Sequence, residues 1–261
     1  MNPLNLSVVI ITLNEEANLA PTLASVAGLA GEIVVLDAGS IDRTREVAES
    51  FHAKFYSEPW KGFAAQKNSA LAKATGDWVL SLDADEEVEP ALAEEIRKVL
   101  SANPSVAGFW IPRKNFFLGR WMKHGGFYPD RKLRLFRRAA GKFEGRLVHE
   151  DVELDGAAAF LKSDLLHHAY PTLDSYIEHM NRYSSLGAEM AVAKRSRSFS
   201  LIDIVLRPKL TFLYNYILRG GFLDGREGLL LHAYHATYVS WKYAKAWELS
   251  PKDVKRANGL R

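Results

Sequence analysis

Cysteine is absent from the 261 residues, which excludes a disulfide framework, a thiolate zinc site and a cysteine nucleophile. Long apolar runs are absent too. The best uncharged stretch late in the chain, Gly228 to Trp241, has 14 residues and contains His232 and His235, whereas a spanning helix needs roughly 20 apolar residues. The chain therefore reads as one without a membrane span. Its start, MNPLNLSVVIITLNEE, has no basic segment and meets Glu15 and Glu16 directly after its apolar run, so it does not read as a signal peptide. No G-x-G-x-x-G follows a predicted strand, which disfavours a dinucleotide dehydrogenase. TLNEEAN, after the first strand, lacks the glycine-rich triphosphate loop of a nucleotidyltransferase. What remains is globular composition, 48% apolar and 25% charged, which rules out disorder for the chain as a whole.

The net charge of +3 conceals a segmented pattern: residues 1–112 carry −8, 113–146 carry +9, 147–190 carry −6 and 191–261 carry +8. Two basic blocks invite an anionic partner, either a phosphate, a nucleic acid or a lipid surface. No nucleic-acid motif accompanies them, so a nucleic-acid partner is not expected.

The first hundred residues alternate strand and helix. LSVVIITL at 6–13 and EIVVL at 32–36 are β-branched apolar runs that read as buried strands. Ala53 to Tyr56 and Asp77 to Leu82 are two more, with helices over Leu19–Leu29, from Asp42 to about Phe51, over Gly62–Ala74 and over Pro90–Leu100. This pattern predicts an α/β fold with a mostly parallel sheet flanked by helices. In such sheets ligands bind at the carboxyl ends of the strands. Asn14, Glu15, Asp37, Asp83 and Asp85 all fall at that edge. Further along, Gly108–Pro112 and Lys132–Phe136 read as strands around a basic aromatic loop. Residues 151–161 read as a hairpin turning at Asp155-Gly156. From Thr172 onward the chain reads as helices, with breaks near 196–200 and 220–225.

Asp83 and Asp85 are alternate residues on an extended segment, so both can face one ligand. Two carboxylates with nothing basic nearby repel, and a divalent cation, Mn²⁺ or Mg²⁺, relieves that repulsion while leaving positions open for phosphates. The plainer alternative is a pair of solvated loop acids ahead of the helix at Pro90.

Taken together, VVIITLNEEANL at 8–19, IVVLDAGSIDRT at 33–44, GFAAQKNSAL at 62–71 and WVLSLDADEEV at 78–88 resemble the inverting, nucleotide-sugar-dependent family 2 glycosyltransferases of GT-A fold. GKFEGRLVHEDV at 141–152, the His167-His168 region and the helical tail are similar to the lipopolysaccharide core enzymes of the WaaE/KdtX-like group. The resemblance implies that Thr12, Asn14 and Glu15 line a nucleotide pocket. It implies that Asp37 bonds the base with Ser40 nearby, that Lys67 approaches the nucleotide or its phosphates, that Asp83 contacts ribose or metal, and that Asp85 binds the metal. Ala38 stands where many relatives carry a second Asp. The resemblance also places the general base at Glu150, with Asp151 as competitor; a surface acid paired with Arg146 is the alternative for Glu150. His149 either orients that carboxylate, contacts an acceptor phosphate, or is simply packed. Arg131 and Arg134, in the basic segment 113–138, are candidate acceptor or phosphate contacts, as is His168. The His167-His168 pair is either structural or completes the metal site.

The tail, 201–247, mixes aromatic and aliphatic residues with Arg207, Lys209, Arg219, Lys242 and Lys245. That composition suits helices lying on an anionic leaflet, or ordinary packing on the catalytic domain. The organisation expected is a catalytic domain over 1–170, with nucleotide-sugar binding in 1–100 and the acceptor side and base in 101–170, followed by a helical extension over 171–261. The function expected is metal-dependent inverting transfer from a nucleotide-diphosphate sugar, UDP first, to a glycolipid or lipopolysaccharide-core acceptor. Such an enzyme would be cytoplasmic and peripheral at the inner membrane. The alternatives are a polyprenyl-phosphate or capsule-precursor glycosyltransferase and a non-catalytic nucleotide-sugar-binding scaffold.

Overall fold

In the computed structural model, residues 4–145, 151–194 and 198–250 are described. Strands β1 (Leu6–Thr12), β2 (Glu32–Asp37), β3 (Lys54–Ser57) and β4 (Trp78–Leu82) pair in parallel in the order β3-β2-β1-β4. Their side chains alternate between two apolar clusters. Val8, Ile10, Ile33, Val35, Leu80 and Leu82 join one, while Val9, Val34, Leu36 and Val79 join the other. A strand buried on both faces has no polar side to show, which is why these runs are continuously apolar.

Helices α1 (Leu19–Val26), α2 (Thr44–Ser50) and α3 (Phe63–Lys73) connect the strands. Asp42 accepts from the Thr44 backbone N–H at 3.0 Å, relieving an unsatisfied donor at the start of α2. After the short β5 (Glu86–Val88), α4 (Pro90–Ser101) begins with proline in its first turn and buries Leu92, Ala93 and Ile96.

Beyond residue 107 the sheet turns antiparallel. β6 (Gly108–Phe117), β7 (Arg120–Trp121) and β8 (Asp130–Arg137) extend it, with β8 on β4 and β6 on β8. Residues 113–117 and 130–131, expected in the basic loop, are thus strand. β9 (Gly141–Glu144) and β10 (Asp151–Leu154) form a separate two-stranded sheet, while β11 (Ala158–Phe160) lies parallel to β6 and β12 (Leu165–Tyr170) antiparallel to β5. The hairpin expected over 151–161 does not form. The chain bends at Asp155-Gly156, but Val152 and Leu154 find apolar cover beside Phe143, so β10 pairs with β9 instead.

The chain divides into two compact units. One comprises residues 1–121 and 127–169, the other residues 122–126 and 170–261. The second unit is helical. α5 (Leu173–Lys194) packs on α7 (Gly225–Leu249) through Ala188, Ala191 and Ala246. Between them, α6 (Arg207–Phe212) is flanked by widened π-type turns at Ile202–Leu206 and Leu213–Leu218, and a 3-10 turn spans Gly221–Asp224. Among the described residues no helix is long and apolar enough to cross a membrane.

Candidate active site

The carboxyl ends of β1, β2 and β4 lie side by side, and the polar residues that follow them are tied together. Asn14 adopts a left-handed conformation, φ 56°, which Asn tolerates better than most residues. Its backbone N–H donates to Ser40 Oγ at 2.7 Å, and its Oδ1 accepts from the Ile41 N–H at 3.0 Å. Asp37, 3% exposed, accepts from Thr12 Oγ1 at 2.9 Å, from the N–H groups of Gly39 and Ser40 at 2.8 and 2.7 Å, and from Ser40 Oγ. Expected at a nucleotide base, this carboxylate is placed by the structure inside its own turn, shaping the loop that carries Ser40. Glu15 receives a bond from Asn18 at 2.8 Å. Burial lifts its carboxyl above the ordinary value; the Asn18 bond opposes this, and the charges of Asp85, Asp42 and Asp83 reinforce it.

The second half of the site is an ion network. Lys67, on α3 and 6% exposed, lies 2.9 Å from Asp83 Oδ1, and Arg134 from β8 takes Asp83 Oδ2. Arg134 and Arg113 both reach Oε1 of the fully buried Glu86, each at 2.7 Å. Oε2 of Glu86 accepts from the Asp83 N–H at 3.0 Å. Arg113 continues to Asp130 at 2.6 Å. Burial disfavours a charged Asp83, but Arg134 and Lys67 outweigh it and hold the carboxyl well below its usual range. Likewise burial opposes the charge of Asp130, and Arg113 brings it down to about 2.

This network corrects two expectations. The acidic pair does have basic partners, delivered from a helix and from distant strands. Arg134, expected to meet an acceptor or phosphate, is instead buried against Asp83 and Glu86, because three acids around one strand end need internal cations.

Asp85 differs from Asp83. Its Oδ2 lies 3.4 Å from His167 Nε2. His167 Nδ1 is 2.6 Å from Asn115 Oδ1, and Asn115 Nδ2 donates to Asp130 and to the Phe127 carbonyl, both at 3.2 Å. Those donations fix the amide's orientation, so His167 Nδ1 carries the proton toward Asn115. Its Nε2 faces a carboxylate oxygen of Asp85, and a ring protonated at Nδ1 alone presents a lone pair there. A cation fits between such groups, and one imidazole plus one carboxylate leaves positions for phosphate oxygens. Burial opposes the charge of Asp85; before a cation binds, hydrogen bonding and charge from a protonated His167 lower its carboxyl. Among the described residues no three His, Asp or Glu side chains are grouped as a metal cage.

The remaining expected residues are scattered around this edge. Arg131 is exposed, with its guanidinium 5.5 Å from the Phe160 ring. His168 stacks on Phe116 at 5.1 Å, its Nε2 3.0 Å from Glu87 Oε1. Glu150 and His149 lie outside the described residues, as does the Asp151 side chain. The strand leading to them is anchored: Asn68, next to Lys67, bonds both the carbonyl and the N–H of Phe143, at 2.8 and 2.9 Å. Sequence reading missed Asn68, Arg113 and Glu86, while His167 had been narrowed to a structural or metal role. The QKN tripeptide carried a signal for the first, and the alternation of Arg113 with Asn115 along one strand for the second.

Comparison with known proteins follows the same lines. The family model described as "Glycosyl transferase family 2" matches residues 7–167. A lipopolysaccharide core biosynthesis glycosyltransferase, LpsC, of Rhizobium meliloti (strain 1021) is 33% identical over 254 residues, covering 94% of this chain and 93% of its own. An uncharacterized glycosyltransferase of Rickettsia typhi is 29% identical, with 95% and 88% covered. Among solved structures, a mannosyltransferase of Pyrobaculum calidifontis, in complex with GDP-Man and Mn²⁺, superposes with a TM-score of 0.55 at 16% identity, covering 96% of this chain and 89% of that one. It shares the α/β fold.

Proposed function

Because the chain belongs to glycosyl transferase family 2 and is a transferase enzyme, we propose that it moves a sugar, with inversion, from a nucleotide-diphosphate donor to a glycolipid of the lipopolysaccharide-core type. The observation that carries the reading is the pairing of Asp85 with His167 at the end of β4, beside Glu15 and Asp83. Asp85 and His167 would hold a divalent cation, which when bound offsets the charge that builds on the departing diphosphate.

The chain's own groups do the rest. Asp83, with one oxygen committed to Lys67 and the other to Arg134, keeps further lone pairs for a ribose hydroxyl. Lys67, Arg134 and Arg113 balance the charges of Asp83, Glu86 and Asp130, leaving Asp85 with Glu15 for a cation that an anionic donor would bring. The loop shaped by Asp37, Asn14 and Ser40 would receive the base, with Thr12 beneath it. A carboxylate, Glu150 or Asp151, would take the acceptor hydroxyl's proton as that oxygen attacks the anomeric carbon. His149 and His168 are the residues we assign to acceptor contact, with exposed Arg131 toward a phosphate.

LpsC supports the acceptor class, and the helical unit supports an encounter at an anionic membrane surface. Leu206, Leu210, Leu213, Tyr214, Leu218 and Leu223 are between 47% and 77% exposed, interleaved with Arg207, Lys209 and Arg219. A cleft of about 450 Å³ lined by Ile202, Arg207, Leu210, Thr211 and Tyr214 opens on this stretch. Exposed apolar side chains flanked by cations fit the interface of an anionic leaflet. A polyprenyl-phosphate acceptor would fit the same surface.

The test is a thermal-shift panel of UDP, GDP, ADP and CMP, each with and without Mn²⁺, since a ligand of the native state raises the melting point. Stabilisation by UDP with Mn²⁺, lost in Asp85→Ala, is the expected result. A response to GDP alone would move the donor to GDP-sugars, the class bound by the Pyrobaculum mannosyltransferase. Silence from every nucleotide would overturn the donor site.

A further inference from the structure

The segment Met122–Gly126 belongs to the helical unit although its chain neighbours do not, and it is held there by specific contacts. The His124 backbone N–H donates to Asp224 Oδ2 at 2.8 Å, and His124 Nδ1 lies 2.7 Å from Asp224 Oδ1. Asp224 is only 2% exposed, so one buried carboxylate is engaged twice by one residue. Gly125 N–H donates to the Arg219 carbonyl at 2.9 Å. Two left-handed glycines allow the close fit. A Cβ on Gly125 (φ +66°) would come 2.1 Å from the His232 ring, and one on Gly126 (φ +91°) would come 2.1 Å from Arg219 Nη1. His232 itself is 1% exposed and is kept neutral, its pKa pushed down to about 4 by burial and by His235 and Arg219, against Asp224.

The outcome is an exposed corner with a definite chemistry. Asp224 accepts a hydrogen bond from His124 Nδ1, so Nε2 is aimed away from it, on a side chain 37% exposed. The Arg219 guanidinium lies against Gly126, one residue from Gly220, whose Cα faces the His124 ring with 3.8 Å between a built Cβ and Cδ2. The guanidinium donates, the His124 Nε2 donates when the ring is charged, and the Asp224 carboxylate is already committed to His124. Leu223 lies with His124 around Gly220, and Leu218 and Phe222 are near it in the chain; the three are 55%, 77% and 48% exposed. Imidazole and guanidinium together suit a phosphate oxyanion, and the neighbouring leucines suit the apolar part of the same molecule.

We infer that His124, oriented by Asp224, and Arg219 form a binding site for the phosphate of an amphiphile. The inference rests on the glycolipid reading of the acceptor and names the group by which such a molecule is held. His124 is a binding residue and Asp224 a positioning one.

The full chain is titrated with dihexanoyl phosphatidate, inorganic phosphate and dihexanoyl phosphatidylcholine below their micelle concentrations, followed by ³¹P line broadening. His124→Asn keeps an amide N–H for Asp224 while removing Nε2. Arg219→Gln removes the guanidinium. The expected result is binding of phosphatidate that weakens about tenfold in each variant, with unchanged melting temperature. Phosphatidate without inorganic phosphate assigns a lipid headgroup, and equal binding of both assigns a free phosphate; either upholds the site. Native-like phosphatidate binding by His124→Asn would reduce the dyad to a loop anchor and overturn the proposal. So would an equal response to phosphatidylcholine in all three proteins, or no phosphate binding by the native chain. If His124→Asn does not fold, Arg219→Gln alone decides. The nucleotide panel run on the same proteins reports separately on the donor reading.

Discussion

The two units solve the problem of charge in opposite ways. The sheet unit buries it. Glu86 is fully enclosed, and Asp83, Arg134, Arg113 and Lys67 neutralise one another around it. The helical unit keeps its few interior titratable groups neutral or committed to a partner, as with His232 and Asp224, and leaves large apolar side chains in solvent. Buried ion networks are costly to assemble and hold one geometry, which suits a site that must meet a polar donor in one orientation. Exposed apolar surface has no such geometry and suits a partner that is itself fluid.

The contrast can be broken at its strongest point first. Asp85→Asn should lower transfer by about 10³-fold in an assay with a water-soluble acceptor, with the melting point of the unliganded protein nearly unchanged; no substitution in 199–223 should approach that loss. Next, Arg113→Met removes one cation from the enclosed Glu86 and all direct pairing with the Asp130 carboxylate from this side. Denaturant unfolding should show a loss of about 4 kcal/mol.

Acid sharpens the comparison by sign and by order. His232 has its folded pKa lowered from 6.5 to about 4, so the unfolded chain binds the proton more readily. The stability it contributes is complete above pH 6.5 and is lost as pH falls toward 4, up to about 3 kcal/mol. Asp130, lowered from 3.8 to about 2, loses its contribution only between about pH 4 and 2. Hydrogen exchange measured across that range should therefore show α7 loosening before β8. The smallest expected effect on folding is that of Leu210→Asp with Leu213→Asp, within about 0.5 kcal/mol each because both sites are exposed. The same pair should remove co-sedimentation with vesicles containing phosphatidylglycerol; retention would return these helices to ordinary surface.

How far the sequence could be read depended on the range of the interaction. β1, β2 and β4 were legible because burial on both faces leaves an unbroken apolar run, and the polar residues after each run could be placed by position alone. Asp42 at the start of α2 was legible because capping is local. The cations around Asp83 were not: Lys67 is 16 residues away and Arg134 is 51, and no local rule links them. Arg134 read as a free basic residue for the same reason. At Asp155-Gly156 the local turn signal yields only a bend, and it says nothing of which strand accepts β10, a choice made by Phe143. His167 could be narrowed to a structural or metal role, and only the orientation of Asn115 shows which way its lone pair faces.

The contact of His124 with Asp224 joins residues 100 apart, which bears on how the protein is made. At synthesis of about 5–20 residues per second, the loop emerges roughly 5 to 20 seconds before its anchor exists. The sheet can pair during that interval, but the helical unit cannot close on this loop until Asp224 has left the ribosome. A chain cut short before residue 219 would carry Gly125 and Gly126 with nothing to fit against, so a tail deletion removes part of the unit to which an earlier loop belongs.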